Sequence, residues 1–87
     1  MLAKITLPDP ILRARIEAGL KKMQAKAPTY QCSVEYQFLD DTHIIYEIHL
    51  LSETMPLFGK MAGSILFKGL KDELHRVSKD ILITQDK

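Results

Sequence analysis

The sequence predicts an α+β domain, a two-layer sandwich in which two helices cover one face of an antiparallel sheet. Two neighbouring segments, Tyr30 to Phe38 and Thr42 to Leu51, alternate apolar and polar residues with the period of half-buried strands. A segment before them and another after them carry apolar residues at spacings of three and four, the period of an amphipathic helix. The four prolines fall between these segments, where a residue without an amide hydrogen does least harm.

In chain order, Ala3 to Leu7 alternates and stops at Pro8, which predicts a short first strand at a sheet edge. Asp9 and Pro10 make a helix start: the carboxylate accepts from free amides of the first turn, and the proline arrives with its φ already set. That helix runs from Pro10 to about Ala27, with Leu12, Ile16, Leu20, Met23 and Ala27 on its apolar stripe and Gly19 beside it, and Pro28 ends it.

The two alternating runs form a hairpin. A two-residue turn would pair Phe38 with His43 and Val34 with Glu47, placing apolar side chains opposite polar ones. A three-residue loop, Asp40 to Thr42, instead pairs Phe38 with Ile44, Tyr36 with Tyr46 and Val34 with Ile48, so this register is expected. After a loop at Ser52 to Pro56, Phe58, Met61, Ile65, Leu66, Leu70, Leu74, Val77 and Ile81 recur at helical spacing and predict the main core helix. Gly59, Gly63 and Gly69 each cost it about 1 kcal/mol relative to alanine, so its first half is a loose turn or a close packing surface. The tail, Ile81 to Thr84, either prolongs the helix or closes the sheet. The order is β-α-β-β-α(-β), ferredoxin-like if the C-terminal strand exists.

At 87 residues from Met1, the chain reads as one complete domain, 1–87, with a single core. A chain this short leaves much of its surface uncovered, which favours a homodimer. Twelve Lys and Arg against eleven Asp and Glu give a charge of +1, so no net field draws polyanions, and nucleic acid is disfavoured as the main partner. The single cysteine, Cys32, permits no intramolecular disulfide and fits a reducing compartment. Neither a signal peptide nor a membrane span is visible, and the expected location is cytoplasmic.

Candidate sites lie on both strand faces. The polar face gathers Ser33, Glu35, Glu47 and His49, and the preferred register sets Glu35 opposite Glu47. Like charges directly opposite are unfavourable unless a cation, a proton or a partner intervenes. Glu35, Glu47 and His49 are therefore candidate ligands of a divalent cation, or an acid/base set. The apolar face carries Tyr30, Tyr36, Phe38 and Tyr46; Tyr36, Phe38 and Tyr46 with Phe58 and Met61 are candidate contacts for an apolar ligand. Gly59 to Ser64 lacks the residue order of a phosphate loop. Cys32 shares its face with no histidine that could activate it, and His75 is expected on the surface.

The runs Val34-Glu35-Tyr36-Gln37-Phe38 and Asp41-Thr42-His43-Ile44-Ile45-Tyr46-Glu47-Ile48, then Pro56-Leu57-Phe58-Gly59 and a long helix, resemble the closing strands and C-terminal helix of the START/polyketide-cyclase superfamily. The resemblance covers about half the chain and implies a curved sheet around an apolar cavity, hence a carrier of a small apolar ligand. Those domains are much longer, and none of their functional residues carries over by position. Three functions follow: first a small non-enzymatic binding or interaction protein acting as a homodimer, then the apolar-ligand carrier, then the metal or acid/base site. No cofactor is expected, and the balance leans against an enzyme.

Overall fold

The computed structural model describes residues 1–51 and 56–86, without the side chains of 56–60 and 86. Its elements are β1 (Leu2–Thr6), α1 (Arg13–Lys26), β2 (Cys32–Phe38), β3 (His43–Leu50), α2 (Pro56–His75) and β4 (Leu82–Asp86). The strands form one sheet in the order β2-β3-β1-β4, and every neighbouring pair is antiparallel. This is the expected α+β sandwich, and its tail is a closing strand and not a helical extension. No helix among the described residues is long and apolar enough to cross a membrane.

The first strand corrects the sequence reading: β1 lies between β3 and β4 and is no edge. Pro8 follows the strand, so its missing amide removes no ladder bond. Ala3, Ile5 and Leu7 are buried. Met1 extends the pairing to β3, its ammonium donating to the Ile48 carbonyl at 2.9 Å and its own carbonyl accepting from the Ile48 amide at 2.8 Å.

Asp9 caps the helix start as expected, accepting from the Ile11 amide at 2.9 Å. Pro10–Leu12 is a single 3-10 turn, and the α-helix proper begins at Arg13. A second 3-10 turn, Ala27–Tyr30, follows it, and Gln31 then takes a left-handed conformation with φ 55°. Because that reversal takes Tyr30 out of the sheet, β2 starts at Cys32, two residues later than the alternation suggests.

The hairpin has the expected register, with Phe38 opposite Ile44, Tyr36 opposite Tyr46 and Val34 opposite Ile48. Its turn is organised by the Asp40 carboxylate, which accepts from the amides of Thr42 at 2.8 Å and His43 at 2.9 Å. Such side-chain capture of amides two and three residues ahead is how aspartate builds tight turns. The hydrogen bonds from Thr42 and then from the His43 ring hold the Asp40 carboxyl well below the usual carboxylate range. Arg13 ties the turn to α1 through an ion pair with Asp41, and its guanidinium lies 4.5 Å from the centre of the Phe38 ring.

Among the described side chains of α2 the buried positions are Ala62, Gly63, Leu66, Leu70 and Leu74. Met61 and Ile65, read from the sequence as part of the apolar stripe, face outward at 65% and 50% exposure. The phase shifts because small residues take core positions: a Cβ on Gly63 would stand 3.3 Å from the Met1 Cε. The same economy of size lets the helices cross closely, since a Cβ on Gly19 would meet Leu74 at 3.3 Å and one on Gly69 would meet Met23 at 3.0 Å. Val77 and Ile81, also assigned to this stripe, lie beyond the helix, which ends at His75. His75 is not a free surface residue: it is half-buried, with Nε2 3.0 Å from the Ile81 carbonyl, and ties the helix end to the start of β4.

Leu70 is fully buried at the centre of this packing. Leu70→Ala is expected to cost about 2–5 kcal/mol. Urea denaturation followed by circular dichroism measures it, at an unchanged m-value.

Candidate functional site

Helices cover only one side of the sheet, so alternate strand residues are left on an open face. Across it, Glu35 on β2 stands directly opposite Glu47 on β3, and Glu47 in turn faces Leu2 on β1. One pair further along, Ser33 faces His49. The register alone creates this neighbourhood, because a slip of one residue would send Glu35 and Glu47 to opposite faces.

His49 Nε2 lies 2.6 Å from a Glu47 carboxylate oxygen and 3.8 Å from one of Glu35. One ligand atom from each of Glu35, Glu47 and His49 falls within 4.8 Å of the other two, the one such grouping of histidine, cysteine and carboxylate side chains among the described residues. Glu35 and His49 are exposed and Glu47 is half-buried. Two carboxylates and an imidazole suit zinc or manganese better than calcium, which takes oxygen donors alone.

A shallow cleft of about 230 Å³ adjoins the cluster, lined by Glu35, Tyr36, Gln37, Ile45 and Glu47. Gln37 and Ile45 form the next cross-strand pair. Neither stood out in the sequence; the signal was Ile45, an apolar residue between His43 and Glu47 on the polar face.

The candidate apolar-ligand residues are not gathered in the same way. Tyr46 is buried on the helix-covered face, and Tyr36 and Phe38 are half-buried there, packed against the core with ring centres 6.2 Å apart and nearly perpendicular. Met61 points to solvent on α2. The side chain of Phe58 lies outside the described residues. Cys32 is buried, its thiol 3.3 Å from the Tyr30 carbonyl, and burial raises its pKa, which makes it a poor nucleophile.

No protein-family model, curated protein or solved structure matches this chain.

Tyr46 has one further property. Its hydroxyl is buried with no hydrogen-bond partner among the described residues, and burial raises its pKa. An unpaired buried hydroxyl is unfavourable, so Tyr46→Phe is expected to leave stability unchanged or raise it by about 1 kcal/mol. Because the raised pKa keeps a proton on the folded protein that the unfolded chain loses above about pH 10, wild-type stability falls as pH rises through that range. Chemical denaturation from pH 8 to 11 should give a smaller alkaline loss for Tyr46→Phe than for wild type.

Proposed function

We propose that the protein binds a divalent cation of the zinc or manganese type on the open face of its sheet, through Glu35, Glu47 and His49. The observation that carries this reading is the convergence of one ligand atom from each within 4.8 Å. A tetrahedral zinc ion at about 2.0–2.1 Å from its ligands holds them about 3.3 Å apart, so small side-chain rotations suffice. The reading also accounts for two glutamates directly opposite each other, an unfavourable pair that a bound cation turns into a favourable one. Proton and metal compete for all three groups, so affinity falls in acid.

Self-association is a second reading, favoured by amides and carbonyls along much of the β2 edge that have no cap among the described residues. The protein then acts as a non-enzymatic interaction module in a reducing compartment such as the cytoplasm.

Thermal melts with and without Zn²⁺, Mn²⁺ or Mg²⁺ test the cation reading. At a hundredfold excess over Kd the expected stabilisation is about 2.7 kcal/mol. His49→Ala and Glu35→Gln should abolish it, and Glu35→Gln should leave the metal-free melting temperature equal to wild type or higher. An unchanged midpoint at millimolar metal would leave only a solvated sheet face.

A further inference from the structure

Ile48 exchanges both of its main-chain bonds with Met1, so it points to β1 and away from β2. Main-chain groups alternate sides along an antiparallel ladder. Val34, opposite Ile48, and with it Cys32, Tyr36 and Phe38, therefore turn their amides and carbonyls outward, away from β3. One of these groups is capped: the Gln24 side-chain amide of α1 donates to the Val34 carbonyl at 2.9 Å. The opposite edge of the sheet, β4, is shorter, and by the same alternation only Ile83 and Gln85 within it point outward.

We propose that a second copy of this chain pairs with the β2 edge, antiparallel, about a two-fold axis normal to the sheet and centred on Tyr36. The strand's own charges select that register. Centring on Glu35, the strand midpoint, would set Glu35 against the partner's Glu35, and centring on Val34 would crowd both Gln24 caps at the axis. A centre at Tyr36 sets Glu35 opposite the partner's Gln37, a carboxylate opposite an amide donor, and Val34 opposite the partner's Phe38, two apolar side chains on the covered face. Tyr36 then exchanges both main-chain bonds with its own copy. The Phe38 amide of each copy replaces Gln24 as donor to Val34, so that carbonyl keeps a partner.

The pairing extends the open-face row of Glu47 and Glu35 to the partner's Gln37 and the partner's Ile45. On the cation reading above, the partner's Gln37 supplies a neutral oxygen beside Glu35 as a fourth ligand, making the complete site a property of the dimer.

Sedimentation equilibrium of the metal-free protein in EDTA tests the interface by itself. A dimer is expected at micromolar concentration. Gln37 is exposed on the open face, so its variants are expected to fold, which circular dichroism verifies. Gln37→Glu places two symmetry-related carboxylate pairs across the axis and should weaken the dimer about tenfold; Gln37→Lys should tighten it. Gln24→Ala, which removes the competing cap, should also tighten it. A strict monomer at 100 µM overturns the proposal, as does a dimer whose dissociation constant ignores both Gln37 substitutions. His49→Ala separates the two readings, because it removes the cation site and should leave dimerisation in EDTA unchanged. Should wild type dimerise while zinc leaves its melting temperature unmoved, the cation reading fails alone.

Discussion

The hairpin turn depends on one carboxylate. By accepting from the amides of both Thr42 and His43, Asp40 closes a three-residue loop and sets the parity of the two strands. Parity decides everything that follows on both faces: which side chains enter the core beneath the helices and which are left to water. The core row Val34, Ile48, Tyr46 and Ile44 and the polar row Glu35, Glu47 and His49 are two results of the same turn. Being solvent-exposed, that turn withstands mild acid because the amides and the His43 ring that it binds favour its ionised form.

The hairpin was legible because two long alternating runs leave one register that keeps both apolar sets together. The convergence of Glu35, Glu47 and His49 was legible for the same reason, as arithmetic on that register. The first strand was not: five residues before a proline look the same whether their neighbours lie on one side or both. Helical spacing misled at both ends of α2. Met61 and Ile65 fit the helical spacing, yet Ala62 and Gly63 hold the buried positions, where close approach matters more than bulk. Val77 and Ile81 continue the spacing beyond the helix, on either side of a turn in which the Ser78 hydroxyl accepts from the Asp80 amide. The apolar-ligand residues share a residue type but not a neighbourhood: Tyr46 is buried, and Met61 is exposed on α2.

Size governs the covered layer as parity governs the sheet. Gly19 and Gly69 sit where the helices approach each other, and Lys22 of α1 reaches Glu73 of α2 at 3.4 Å beside that crossing. Replacing either glycine with a larger residue would separate the helices or displace Leu74 or Met23. The open face bears none of these constraints, and so its residues are free to be chosen for chemistry.

The central place of β1 matters to a chain emerging from a ribosome. β1 is synthesised before any other strand, yet its two neighbours are β3 and β4, which appear about forty and eighty residues later. Until β4 has left the exit tunnel, the nascent polypeptide can hold at most a three-stranded intermediate, in which β1 presents an unpaired edge. In that interval Leu2, Lys4 and Thr6 expose the main-chain groups that later bind β4. Completion of the sheet is thereby tied to the end of translation of this domain.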